Sequence, residues 1–247
     1  MKRMLFVGIA ISALLLGISA YGFEADEIVR KGDDVINAPK DAFILSTMTL
    51  IDKKGYRSER KLEMYQREGD YRLVRFLSPA DQKGIAFLSL PDDVMYLYLP
   101  AFHKIRQIAS HVKNQSFAGT DFNYDDLSEF KLAKNHGAEI LGEEPEMYVL
   151  TLTPKDGTDK DYIFIKAWYR KDNFYPIRME YYDKGGSLWK VLERRRLEKV
   201  QGYWFPMEMD MKDMKTDHST LSSVNRVEFD KGLDDEVFSK RNLMKMQ

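Results

Sequence analysis

The residues with the best claim to chemistry are three carboxylates in the run Thr120-Asp121-Phe122-Asn123-Tyr124-Asp125-Asp126-Leu127. A carboxylate working with a histidine could move protons or activate water in a hydrolysis. A group of three could hold a calcium ion. The calcium-loop pattern is absent, however, and His103, His111, His136 and His218 stand singly, without the close spacing of a metal site. Acids ahead of an apolar residue also start helices, by capping the first amides and meeting the positive end of the dipole. Capping is the plainer reading of this cluster. No G-x-S-x-G elbow, phosphate loop or dinucleotide glycine pattern occurs. With no cysteine, the chain has no thiolate nucleophile, disulfide or thiolate zinc site. No catalytic residue, metal or cofactor is expected, and the chain does not read as an enzyme.

Two further clusters need an account. Met207, Met209 and Met211 alternate in Tyr203–Met211, and thioethers can bind copper(I). On a strand they would point the same way about 6.8 Å apart, with no histidine beside them to complete a site. An adaptable apolar wall suits them better. Arg194-Arg195-Arg196 could meet anionic groups, but Glu193 and Glu198 beside them suggest a solvated outer face.

Lys2 and Arg3 precede an apolar run from Met4 to Ile18, short of the roughly 20 residues that span a bilayer. Ala20 and Gly22 then supply small residues for cleavage after Gly22. The expected mature chain is Phe23–Gln247, exported and periplasmic, with residues 1–22 as a signal peptide. The balance of 38 basic and 39 acidic residues gives a net charge of −1. That lacks the basic excess of a nucleic-acid binder. No Pro/Gly/Ser-rich boundary divides residues 23–247, so one domain is expected.

The elements that would position these residues are mostly strands. Phe23–Asn37 has apolar residues near helical spacing and acids at its start, and Ala38-Pro39 ends it. Strand candidates follow at Ala42–Asp52, Tyr56–Gln66, Tyr71–Leu77, Ile85–Leu90, Val94–Leu99 and His103–Ala109. His111–Leu132 is not strand-like and should hold a loop and a short helix. Strands resume at Ala138–Leu141, Met147–Pro154, Tyr162–Arg170, Ile177–Asp183, Leu188–Val200, Tyr203–Met211 and Ser219–Phe229. Short strands joined by tight turns imply an antiparallel meander. The fold class is mainly β, with a minor helical part.

The strand faces depart from simple alternation. Ala42–Asp52 carries Phe43, Leu45 and Ile51 on one side and Ile44, Met48 and Leu50 on the other. Val94–Leu99 and Tyr162–Tyr169 are also apolar on both sides. A one-sided sheet would be polar on its outer face. Either both faces are covered, as by a helix packed in the concavity, or one face lines an apolar ligand site; the two are compatible.

The stretch Arg75–Gly84 (RFLSPADQKG) is followed by Tyr96-Leu97-Tyr98-Leu99-Pro100-Ala101, Lys104-Ile105-Arg106 and Ser116–Leu127 (SFAGTDFNYDDL). This ordered series resembles the LolA-like group of outer-membrane lipoprotein-sorting proteins, in a longer subgroup. The resemblance implies a strongly curved antiparallel sheet, an incomplete barrel, under a helical lid. It implies binding of lipoprotein acyl chains or other lipids, with an inner-membrane exporter and an outer-membrane acceptor as partners. No functional residue is carried over from the family. A parity choice on the apolar strands gives a lipid-binding set: Phe43, Leu45, Phe76, Phe87, Met95, Leu97, Phe117, Phe122, Leu127, Trp168, Met179, Met207 and Met209. Val112–Thr120 is the expected hinge, with Gly119 giving backbone freedom and Phe117 and Phe122 plugging the groove.

Three functions follow as alternatives. The first is a carrier of acyl chains toward the outer membrane. The second is a sensor or adaptor for a membrane partner, such as an exporter of the resistance-nodulation-division type. The third is a hydrolase built on Asp121, Asp125 or Asp126 with a histidine.

Overall fold

A computed structural model describes residues 23–245 apart from 69, 129 and 130. The expected signal peptide, with its cleavage site at Gly22, lies outside the described residues. The chain enters through helix α1 (Ala25–Ile36). Asp26 and Glu27 sit in its first turn, and Ile28, Val29, Gly32 and Asp33 form its buried face. The helix ends at Asn37, whose side-chain and backbone amides both donate to the Asp33 carbonyl. No helix among the described residues is long and apolar enough to cross a membrane.

Thirteen strands follow: β1 (Asp41–Ile51), β2 (Arg57–Arg67), β3 (Tyr71–Ser78), β4 (Ala86–Leu90), β5 (Val94–Leu99), β6 (Lys104–Gln107), β7 (His136–Glu144), β8 (Met147–Pro154), β9 (Tyr162–Arg170), β10 (Pro176–Asp183), β11 (Leu188–Val200), β12 (Tyr203–Asp213) and β13 (His218–Phe229). They form one sheet in the order β6-β5-β4-β3-β2-β1-β13-β12-β11-β10-β9-β8-β7. Every neighbouring pair is antiparallel. The first and last strands pair at the middle of the sheet, Ala42 opposite Phe229 and Ile51 opposite Ser219. The two edges, β6 and β7, are consecutive in the chain. The architecture is a curved sheet left open at a single seam, with residues 108–128 and 131–135 lying between its two edge strands in the chain.

The resulting concavity is filled from α1 and from the seam-crossing segment, which carries helices α2 (Tyr124–Ser128) and α3 (Leu132–Asn135). Ile28, Val29, Phe117, Phe122 and Leu127 pack there against Met48, Phe76, Phe87, Leu150, Ile165 and Met179 of the strands. Asp33 of α1 accepts the amides of Leu132 (3.0 Å) and Ala133 (2.8 Å), tying α1 to the start of α3.

The convex face of the first strands is covered as well. Leu73, Ala86, Leu88 and Tyr98 pack under Phe238 and Leu243 of the C-terminal segment, which holds helix α4 (Lys240–Leu243). Beside them lies a buried ion pair, Arg75 to Glu63 at 2.6 Å. Arg75 also donates to the Asn242 carbonyl, fastening the chain end to the sheet. Both faces of β3 to β5 are therefore covered, which accounts for the lack of alternation there.

Candidate functional site

An apolar cavity of about 130 Å³ lies in the concavity. Its wall is built by strand alternation, since successive side chains leave opposite faces. Strand β1 contributes Ile44, Ser46 and Met48, and β2 contributes Leu62 and Met64. Across the sheet, β10 adds Met179 and Tyr181, β11 adds Leu192 and Arg194, β12 adds Met209 and Met211, and β13 adds Ser222 and Val224. Phe122, Leu127 and Leu132 close it from the seam-crossing segment, and Ile36 from α1.

The cover is ordered by its own hydrogen bonds. Residues Ser116–Asn123 form a tight reversal: Ser116 and Asn123 form a bridge, and the Phe117 amide donates to the Phe122 carbonyl at 2.9 Å. At its tip Ala118 and Gly119 take φ values of 50° and 78°, the left-handed pair that a two-residue reversal requires. Phe117 lies fully buried. It stacks on Phe76 at 5.3 Å and meets Phe87 and Tyr124 at 6.0 and 5.8 Å. The expected hinge segment therefore includes the start of a packed, hydrogen-bonded turn.

Two clasps hold that turn. On one side the Arg60 guanidinium of β2 donates to the Ala118 carbonyl and lies over the Phe76 ring at 5.4 Å. Its burial lowers its pKa, with the nearby Asp81 opposing. On the other side Asp121 accepts from the Thr220 hydroxyl at 2.6 Å and faces His218 Nδ1 at 2.7 Å. Its own amide donates to Thr220 Oγ1, and Lys190 Nζ donates to its carbonyl.

The three carboxylates thus diverge. Asp125 pairs with Lys160. Asp126 accepts the Asn123 amide at 2.8 Å while its own amide donates to Asn123 Oδ1 at 2.6 Å, a reciprocal cap at the start of α2. Burial holds the Asp126 carboxyl above the usual carboxylate range, with Lys190 pulling the other way. Among the described residues, no three His, Asp or Glu side chains gather where a metal ion could sit.

Of the thirteen residues read as lipid-binding, Phe122, Leu127, Met179 and Met209 line the cavity. Phe76, Phe87, Met95 and Phe117 belong to the buried packing of the same concave side, and Leu97 packs against it. Four are corrected. Phe43 and Leu45 are only half-buried and leave the outer face of β1, where Phe43 meets Tyr65 at 5.1 Å. The wall of β1 is the other set, Ile44, Ser46 and Met48. Trp168 alternates with the buried Ala167 and Tyr169 and so faces outward, donating to Glu144 at 3.0 Å under the cations of Lys166 and Arg178. Met207 is displaced because Arg196 opposite takes φ 50° and the ladder lacks the Arg196–Met207 pair; Phe205 and Pro206 continue the wall instead.

The arginine run is corrected in part. Arg195 and Arg196 are exposed and pair with Glu193, Glu198 and Glu208. Arg194 faces inward, as alternation along β11 demands. Ile44, Met48, Leu62, Met64 and Leu192 also line the wall without having been read from the sequence. The useful signal was the dense charge at Arg57–Lys61 and Arg195–Lys199, which marks the exposed ends of those strands.

An open antiparallel sheet curled around a covered apolar cavity is a LolA-like fold. Among solved structures, it is similar to a DUF1329 family protein from Desulfovibrio piger (28% identity, TM-score 0.83, covering 88% of this chain and 97% of that one). It is similar to a putative outer membrane lipoprotein-sorting protein domain from Vibrio parahaemolyticus (28%, 0.82, covering 90% and 98%). A LolA superfamily protein from Nitrosomonas europaea shares the fold at 19% identity (TM-score 0.73, covering 89% and 99%). A family model described as "Uncharacterized protein" matches residues 68–245, and the chain belongs to that family. No curated protein matches the chain.

Proposed function

We propose that this protein is an exported, periplasmic, non-catalytic carrier that shelters acyl chains of lipoproteins or other lipids on their way toward the outer membrane. An inner-membrane exporter would donate the cargo and an outer-membrane acceptor would receive it. The observation that supports this most is the methionine-rich apolar cavity beneath a clasped turn. The likeness to a lipoprotein-sorting domain at 28% identity supports it too.

The energetics fit a carrier. Each buried methylene contributes about 0.8 kcal/mol, so a chain of about sixteen carbons contributes on the order of 10 kcal/mol before ordering costs. The cavity of about 130 Å³ is of the size that accepts one small aromatic molecule. A longer chain needs the cover to lift and the methionines to repack, which their flexible thioethers allow.

Native mass spectrometry after mild purification should show bound lipid, and delipidated protein should take up a fluorescent fatty acid. Ser222→Phe, which fills the cavity, should abolish uptake, while Phe43→Ser on the outer face should not. Folded wild-type protein that neither carries nor takes up lipid would overturn the reading.

A further inference from the structure

The cavity is apolar but not uniformly so. Five charged residues line it: Asp33, Asp125, Asp126, Asp161 and Arg194. Each carboxylate has a donor or cation of its own: the amides of Leu132 and Ala133 for Asp33, Lys160 for Asp125, the Asn123 amide for Asp126 and Lys184 for Asp161. Arg194 differs. Its Nη1 donates to the Pro176 carbonyl at 2.8 Å and lies 4.0 Å from the Met179 sulfur. Among the described residues no carboxylate lies within ion-pairing distance of it, and its other N–H groups have no protein acceptor. A half-buried guanidinium carries five donors in a planar fork, and those that Pro176 does not take are left for solvent or a ligand.

A second group points the same way. The Tyr169 hydroxyl is fully buried and has no hydrogen-bond partner. It lies within the electrostatic reach of Asp33 and, more weakly, of Arg194, which also reaches Tyr175 on the cavity wall. Buried hydroxyls are ordinarily paired, and this one has no acceptor of its own. Tyr169 is also locked in place: a Cβ on Gly32 of α1 would stand 2.6 Å from its ring. The cavity therefore offers one guanidinium without a carboxylate of its own, beside four carboxylates that already have donors.

Resting on the carrier reading, we infer that the cargo is an acyl chain bearing an acidic head, a carboxylate or a phosphate monoester, which the Arg194 guanidinium pairs with while the tail occupies the apolar wall of Met48, Met64, Met209 and Met211. An acylated, amide-capped protein N-terminus has no such group. The inference therefore favours acidic lipids over lipoproteins as cargo.

The test compares heads on one tail. Palmitate, hexadecyl phosphate, hexadecanol and methyl palmitate compete with a fluorescent fatty acid on delipidated full-length mature protein. The acidic ligands should bind at least tenfold tighter than the alcohol and the ester, the margin of a charge-assisted hydrogen bond. The two acids against each other separate a fatty-acid from a phospholipid-like source. Arg194→Met should bring acid and alcohol within twofold of one another, and Tyr169→Phe should reduce the preference without reversing it. Equal binding of acid and alcohol by wild-type protein would overturn this inference and leave the carrier reading intact. Binding of none of the four would remove the carrier reading itself. The wild-type comparison stands even if Arg194→Met fails to fold, and Arg194→Lys, which keeps the charge but not the fork, should retain part of the preference.

Discussion

The carboxylate of Asp121 lies 2.7 Å from His218 Nδ1, and the same oxygen accepts the Thr220 hydroxyl at 2.6 Å. In a nucleophilic triad the hydroxyl would sit on the ring nitrogen opposite the acid. Here histidine and hydroxyl converge on one carboxylate oxygen, so the group orders the turn and does not activate a nucleophile. Thr220→Val should remove one of these bonds from a buried carboxylate and cost about 1–3 kcal/mol. Hydrogen exchange should quicken across 116–123 while β8 to β10 keep their protection; unchanged exchange there would contradict the clasp.

The second clasp should be separable from the first. Arg60→Ala removes the donor to the Ala118 carbonyl and the cation over Phe76. Uptake of a fluorescent fatty acid should become faster, and exchange at Ala118 and Gly119 should rise. Slower uptake by a folded variant would show that Arg60 serves something other than closure.

On the convex face, Glu63→Ala strands the buried Arg75 guanidinium and should destabilise by about 3–5 kcal/mol. Replacing both partners, Glu63→Leu with Arg75→Met, should recover most of that loss in urea unfolding. The double variant should also loosen the chain end, since Arg75 holds the Asn242 carbonyl.

Gly32→Ala tests helix propensity against packing. In a free helix the change is favourable by about 1 kcal/mol. Here the new Cβ would meet the Tyr169 ring at 2.6 Å and the Phe174 carbonyl at 3.0 Å. The clash should win, lowering stability by about 1–3 kcal/mol.

Asp126 gives a pH dependence of definite sign. Burial raises its folded pKa, so between the ordinary carboxylate value and the raised one the folded state binds more protons than the unfolded. Its contribution to stability is present below that window and declines as pH rises through it. Asp126→Asn keeps an acceptor for the Asn123 amide and should flatten this decline in unfolding measured from about pH 4 to pH 7.

Much of the fold was legible in the residues. The strand ranges expected from the sequence lie within a few residues of the observed strands. The motif series from Arg75 to Leu127 pointed to a curved sheet under a lid. Which face of β1 looks inward was not legible, because Phe43 and Leu45 are as apolar as Ile44 and Met48. That choice is made by the pairing with β13 and by its irregularity at Leu45–Ser46, contacts more than a hundred residues apart. Met207 was misplaced by a local break at Arg196, which no period-two pattern registers. Arg194 was masked by its neighbours, since a charge run hides the one member that alternation turns inward.

The seam between β6 and β7 has a mechanical corollary. The strap that roofs the hollow is strung between the two rims, so any spreading of the mouth would have to stretch it. In a carrier built this way, a tail pressed between the rims would work its own gate.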